Sequence, residues 1–319
     1  MKEGISVIIA SYNRQDFIAE AIQSVIDQHY DGIVEIIISD DGSTDKTLEI
    51  CESFSNNIKE NIKIVRKPFY CHKQGVSSTR NRGIRKSTQP LISFLDSDDF
   101  LLPGHFNKIV TVLEKGPELG FAFCRILELR EQNNQKLFRP WTHHRIFKSD
   151  IKNPVISRGN VYHTNSFVFR RTVFEKVGFF NESYSNAEDS DQWIRISEHF
   201  KGAFSNHYGA VYRIEHGKNQ LTKNSGERII SNHLSVHKNA LQRSYELGIV
   251  DSNRIFELKH LILHGNYTNN KFIYFFKYLN LIMQYPFSFL KRIPKFYFHL
   301  HDKIKRRKWN DWQRFKVNL

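Results

Sequence analysis

Four short apolar runs in the first hundred residues do most to limit what this chain can fold into. They are 5–10 (ISVIIA), 34–38 (VEIII), 62–65 (IKIV) and 91–95 (LISFL). Each is too short for a helix and too apolar for a strand with one wet face. Such runs are strands buried on both faces of a parallel sheet. Helical periodicity lies between them. Phe17, Ile18, Ala21, Ile22, Val25 and Ile26 recur at helical spacing across 16–29, and Leu48, Cys51 and Phe54 do so across 44–55. A weaker helical pattern covers 75–86, and another over 105–114 follows the fourth run. Alternating β and α over about 115 residues predicts a doubly wound α/β core. Ligands of such sheets bind beyond the carboxyl ends of the strands.

Those strand ends are where the polar chemistry is found. Ser11-Tyr12-Asn13-Arg14 follows the first run and Ser39-Asp40-Asp41-Gly42-Ser43-Thr44-Asp45 the second. Ser43 or Thr44 is suited to cap the next helix. A carboxylate at this turn can accept N–H bonds from a nucleobase edge, and Tyr12 can offer an aromatic face. Equally, Asp41 and Ser43 can simply build the turn. Asp96-Ser97-Asp98-Asp99 follows the fourth run. Three carboxylates within four residues repel one another unless a cation or several N–H groups compensate them. Oxygen ligands of this kind suit Mg²⁺ or Mn²⁺. One of the acids can instead cap the segment at Pro103. Gly75 to Gly83 (GVSSTRNRG) adds hydroxyls and two arginines, and Arg80 or Arg82 can pair with diphosphate oxygens.

The rest of the chain is less regular. Residues 125–160 read as a polar, irregular connection. Pattern returns with FVFRR (167–171), a helix across 187–199 and a strand near 209–213, and from about 226 it is helical. The net charge is +14, but residues 259–319 carry +11 of it and leave the body at +3. Residues 271–300 also hold 11 aromatics. Three cysteines without a CxxC pair argue for thiols in a reducing compartment rather than a disulfide framework or a structural zinc site. The first residues lack the features of a signal peptide, and no apolar run reaches ~18 residues. Composition excludes a disordered chain, a collagen and a disulfide-stapled miniprotein.

Taken together, SVIIASYNR, IIISDDGSTD, GVSSTRNRGI and ISFLDSDDFLLP resemble the N-terminal half of the family 2 glycosyltransferases, which have the GT-A fold and use nucleotide-sugar donors. Val177-Gly178-Phe179-Phe180-Asn181-Glu182 followed by Glu188-Asp189-Ser190-Asp191-Gln192-Trp193-Ile194-Arg195 is similar to the family's second segment. The likeness covers roughly 4–217. It implies a GT-A (Rossmann-like), doubly wound mixed sheet over 1–225, with a nucleotide-binding half to about 115 and an acceptor half over 116–225. A helical extension over 226–319 follows.

The resemblance also implies site roles and an inverting transfer. Asp189 is expected as the catalytic base, with Glu188 and Asp191 beside it. A pair with Arg195, one helical turn on, is the competing reading of Asp191. Ser11, Tyr12, Asn13, Arg14, Asp40, Asp41, Arg80, Asn81, Asp96 and Ser97 are expected at the nucleotide sugar. Asp98, Asp96 and His216 are expected at Mn²⁺ or Mg²⁺. UDP is the expected nucleotide, with GDP and dTDP left open. The expected acceptor is a glycan or lipid-linked glycan in cell-surface polysaccharide synthesis. A polyprenyl-phosphate acceptor and an inactive GT-A-like binding protein stand as alternatives. The aromatic, basic segment 271–319 suits an anionic membrane surface, and so a cytoplasmic enzyme peripheral to the inner face. Packing of those aromatics on a core is the rival reading. Nucleic acid is disfavoured, because no recognition motif accompanies the tail.

Overall fold

The computed structural model describes residues 2–54, 62–66, 74–132, 135–141, 163–214, 226–249, 251–265 and 271–290. The chain divides into two compact units, Met1–Lys218 and Asn219–Gln313. The first opens with the expected alternation: β1 (Ile5–Ser11), α1 (Ile18–Ile26), β2 (Val34–Asp40), α2 (Thr47–Ser53), β3 (Ile62–Arg66), α3 (Val76–Lys86) and β4 (Leu91–Asp96). It continues with β5 (Phe100–Leu101), α4 (His105–Leu113), β6 (Leu119–Gln132), β7 (Gln135–Pro140), β8 (Phe167–Arg170), α5 (Arg171–Val177), α6 (Glu188–His199) and β9 (Lys201–Arg213).

The strands form one mixed sheet, ordered β3-β2-β1-β4-β8-β6-β9-β5, with β7 hairpinned onto β6. The first four are parallel. β8 then joins β4 antiparallel and turns the sheet mixed. Register aligns the strand ends: Ser11 lies opposite Asp40 across β1–β2, and Ala10 opposite Asp96 across β1–β4. Residues far apart in sequence thereby share one edge.

Alternate side chains of β1 feed two cores. Ile5, Val7 and Ile9 pack with Ile18, Ile22 and Val25 of α1 and with Phe106 and Ile109 of α4. Ile8 faces the other way, into a cluster of Ile84, Phe94, Phe169, Phe174, Phe180 and Trp193. α3 lies tight on this face because Gly83 has no side chain. A Cβ there would sit 2.3 Å from Ile8 Cγ2. Trp193 stacks on Phe169 at 4.8 Å between centroids and meets Phe180 edge-on at 5.6 Å. The aromatic of the second sequence segment is therefore an anchor that fixes α6 against the sheet.

The structure corrects four expectations. Much of 125–140 is not irregular, because β6 and β7 form an antiparallel hairpin with Glu128 opposite Arg139. Its buried residues Leu127, Leu129 and Phe138 are interleaved with charges, which hid the strand period. β9 begins at Lys201, well before the expected 209. Neither Ser43 nor Thr44 caps a helix, since α2 starts at Thr47 and Ser43 binds Asp40 instead. No acid of the 96–99 cluster caps α4 either, which follows Gly104.

The second unit contains α7 (Gly226–Glu246), α8 (Ser252–Gly265) and α9 (Lys271–Gln284). Val236, Ala240, Ile255, Phe256, Leu258 and Leu281 are buried in it. Phe275, Phe276, Met283, Phe287 and Leu290 are exposed. Among the described residues, no helix is long and apolar enough to cross a membrane.

Candidate active site

The loops after β1 and β2 are stitched into one surface. Asp40 accepts Gly42 N at 2.9 Å, Ser43 N at 2.7 Å and Ser43 Oγ at 2.6 Å, which makes it the keystone of its own turn. Asn13 N donates to Ser43 Oγ, and Thr44 N donates to Asn13 Oδ1, each at 2.8 Å. Arg14 N donates to Thr47 Oγ1 at 2.7 Å. Asn13 holds a left-handed φ of 52°, tolerable for Asn and uncommon elsewhere. Asp41 reaches the next element, accepting Gln74 N at 3.1 Å and Gly75 N at 2.9 Å just before α3. Arg82 pairs with it at 3.3 Å. Tyr12 is half-buried beside these loops, and Ser11 and Ser97 are buried.

The acids after β4 are held individually. Asp99 is fully buried and accepts Arg213 N at 2.7 Å and Asn165 Nδ2 at 2.6 Å. Asn165 Oδ1 accepts Asp96 N at 2.9 Å, so one amide fixes both ends of the cluster. Asp98 lies 3.4 Å from Arg14 Nε. Burial, reinforced by the Asp98 and Asp96 charges, holds the Asp99 carboxyl well above the usual carboxylate range. His163 Nε2 stands 3.9 Å from Asp96 and 4.0 Å from Asp99. Ligand atoms of Asp96, Asp99 and His163 all fall within 4.8 Å of one another. Burial lowers the His163 pKa despite the opposing Asp96 charge, which keeps the ring neutral and fit to ligate. The donor set fits Mn²⁺ or Mg²⁺, which take mainly oxygen ligands.

Arg80 joins this cluster to α6. Buried at 5% exposure, it donates to Asp96 Oδ1 and to Glu188 Oε1, each at 2.8 Å. Burial acts to lower its pKa, but Asp96 and Glu188 more than compensate and keep the guanidinium charged. The acids at the start of α6 are perturbed in turn. Burial first, then the Asp189 charge, pushes Glu188 up to about 7 against the pull of Arg80. Burial also raises Asp189, with Arg80 and Ser190 opposing. Asp189 accepts Ser190 N at 2.6 Å and remains half-buried. The residue before the pair, Ala187, adopts φ 63°, a strained conformation for a residue with a Cβ. A raised, partly accessible carboxylate of this kind can accept a proton near neutral pH.

The expected site residues therefore separate into groups. Ser11, Tyr12, Asn13, Arg14, Asp40, Asp96, Ser97 and Asp98 lie along the aligned strand ends and their loops. Asp189 and Glu188 are brought to them through Arg80. Asp191 takes its competing reading, accepting Arg195 Nε at 2.8 Å while 3% exposed. Asn81 is committed elsewhere: its amide binds Phe180 O, Phe180 N and Glu182 Oε1 and ties α3 to the segment before α6. Arg80 meets carboxylates instead of standing free for a diphosphate. His216 lies outside the described residues. Sequence reasoning missed His163 and Asn165, because neither belongs to a strand-end acidic motif and only the chain reversal into β8 delivers them.

The Glycosyl transferase family 2 model matches residues 6–178, more than half of the chain. This protein belongs to that family. The first four strands, apart from Ile5, and the acid cluster lie in the matched stretch. An Escherichia coli relative, UDP-Glc:alpha-D-GlcNAc-diphosphoundecaprenol beta-1,3-glucosyltransferase WfaP, is 29% identical over 224 residues, which are 69% of this chain and 81% of that one. Against the curated glycosyltransferases it matches, the family 2 chain spans from 31% to 81% of their length. Among solved structures, S. aureus TarS 1-349 in complex with UDP-GlcNAc aligns with a TM-score of 0.63 at 17% identity, covering 90% of this chain and 81% of that chain. The mannosyltransferase PcManGT of Pyrobaculum calidifontis, in complex with GDP-Man and Mn²⁺, aligns with a TM-score of 0.55 at 14% identity, covering 91% and 83%. The fold is that of the GT-A glycosyltransferases, as the sequence resemblance implied.

Proposed function

We propose that this family 2 protein transfers a sugar, with inversion, from a nucleoside diphosphate sugar to an acceptor hydroxyl. The donor is a UDP-sugar and the acceptor a glycan or lipid-linked glycan of the cell surface. One observation carries the reading: the Asp96–Arg80–Glu188 bridge sets the raised Glu188–Asp189 pair beside the strand-end acids. Asp189 takes the proton of the acceptor hydroxyl as that oxygen forms its bond to the anomeric carbon. The bond to the diphosphate oxygen breaks on the opposite face, and its electron pair leaves with the nucleotide. A single displacement inverts the centre and needs no protein nucleophile. Asp96, Asp99 and His163, with Asp98 next to them in the chain, are the residues that would hold Mn²⁺ or Mg²⁺. When bound, that ion supplies charge neutralisation for the diphosphate. Ser11 to Arg14 and Asp40 shape the nucleotide end. The UDP donors in the names of WfaP and of the TarS complex support that choice.

A panel of UDP-, GDP- and dTDP-sugars tests this, read by thermal shift and donor turnover with Mn²⁺ and with chelator. The expected result is a UDP-sugar response that the chelator abolishes. A response unchanged by chelator would remove the metal from the reading, and a GDP- or dTDP-only response would remove uridine. No response to any donor would leave a GT-A-like binding protein.

The second unit supplies a membrane-facing partner surface in this reading. Phe275, Phe276, Met283, Phe287 and Leu290 are exposed in and just after α9, and the following sequence is strongly basic. An exposed apolar stripe beside cations is suited to anionic lipid. Flotation with anionic vesicles should recover the full chain, and replacing Phe276, Met283 and Phe287 by Ser should release it. Equal recovery of both proteins would sink this role. Residues 291–319 lie outside the described residues.

A further inference from the structure

A second group of ligating side chains lies within the first unit and takes no part in the reaction above. His105 opens α4, Cys124 sits in β6 and His207 in β9. His105 Nδ1 and His207 Nε2 are 3.0 Å apart. One ligand atom from each of His105, Cys124 and His207 falls within 4.8 Å of the others. We propose that these three residues form a site for a borderline-soft divalent cation of the zinc class, separate from the oxygen-lined donor site.

Several independent features build the site. The β6–β9 ladder breaks register twice here: Cys124 pairs with Ser205, but Arg125 pairs with Tyr208 and Ile126 with Ala210. This bulge inserts the residues that include His207 and re-aims that side chain. Beside it, Gly209 makes room for the other two ligands. A Cβ on Gly209 would stand 2.1 Å from His105 Nδ1 and 2.6 Å from Cys124 Sγ. Behind His207, Nδ1 lies 2.8 Å from Ser205 Oγ. A partner on the far nitrogen is the usual device that fixes a ligating tautomer with the other nitrogen bare. His105 is 0% exposed, and Nδ1 is the ring nitrogen that faces His207.

The chemistry selects the ion class. Two imidazoles and a thiolate are a poor set for Mg²⁺ or Mn²⁺ and a good one for zinc-type ions, whose open sites use three protein ligands and a water. Burial keeps both histidines neutral, as ligands must be, with Lys108 reinforcing the effect. Burial also raises the Cys124 thiol, so the metal itself must drive its deprotonation. Lys108 repels a cation, and the thiolate formed on binding offsets that charge. The position suggests the purpose. Leu102 N donates to Gly209 O at 2.9 Å, pinning the chain just after the acid cluster onto β9. A metal at His105 ties the same segment to β6 and β9.

The test uses full-length, reduced, metal-stripped protein and Co²⁺ as the probe, read by the thiolate-to-cobalt charge-transfer band. A band that saturates at one cobalt per chain and is displaced by Zn²⁺ is expected. Cys124→Ser should abolish it, and Ser205→Ala should weaken binding about 10–100-fold. Asp98→Asn should leave it unchanged, which separates this site from the donor site and from the reading built on it. If Cys124→Ser does not fold by circular dichroism, His207→Gln, at the half-buried ligand, gives the same comparison. No band in the wild type would mean a hydrogen-bonded histidine pair only. A band that survives Cys124→Ser or His207→Gln would place the cobalt elsewhere. Either outcome overturns the proposal.

Discussion

Asp189→Asn is expected to lower kcat by about 10²–10⁴-fold while donor binding stays near normal. Asn keeps the size of the side chain and an oxygen for the 2.6 Å bond from Ser190 N, so the start of α6 should hold. It cannot accept a proton from the acceptor hydroxyl. The pH dependence gives a second, independent reading. Burial raises Asp189, and Glu188 beside it is pushed up to about 7. The two acids interact, so the pair titrates as a unit. Wild-type kcat/KM should therefore rise with pH toward neutrality and fall as the pair protonates below it. Single-turnover assays with a matched donor and acceptor would measure both quantities. Near-normal turnover of Asp189→Asn would remove Asp189 as the base.

Arg80→Met should cost about 3–5 kcal/mol of stability, the range for removing one partner of a buried ion pair. Met fills similar space along the chain stem but leaves the acids at both ends without their cation. Asp96 has 27% of its side chain exposed and can recover some hydration. Glu188, with 10% of its side chain exposed, cannot, so most of the loss falls there. The sign with pH follows. Arg80 is what pulls the Glu188 pKa down, so without it that pKa rises further above the unfolded value. An acid with a raised folded pKa favours the folded state while protonated, and that stability is lost as pH rises through the folded value. The variant should be hurt most above neutrality and least at acid pH. Urea unfolding on both sides of neutrality checks this. A small loss, or one independent of pH, would show that Arg80 does not compensate Glu188. Transfer should fall as well, because the bridge positions the acid pair against the strand ends.

How much was legible in the sequence depended on how local the cause was. The β1–β4 core was readable because strands buried on both faces leave unbroken apolar runs. The strand-end acids were readable because a carboxylate triplet has few neutral explanations. The β6–β7 hairpin was not, since its apolar positions are sparse and its charges pair across strands, as Glu128 does with Arg139. His163 and Asn165 carry no signal of their own. They matter only because β8 runs antiparallel beside β4 and brings the turn before it to Asp96 and Asp99.

By itself, the sequence determined the alternation of strands and helices, the family likeness, and the residue types able to meet a nucleotide sugar. Local periodicity and short motifs encode those things. Only the tertiary structure decided which of the candidates face one another. It gave Asp191 to Arg195 and Asn81 to the segment before α6, and it placed Arg80 between Asp96 and Glu188. It also set His105, Cys124 and His207 around Gly209. These are long-range pairings, fixed by strand register and by how close two backbones can approach, and neither quantity is written in any local stretch of the chain.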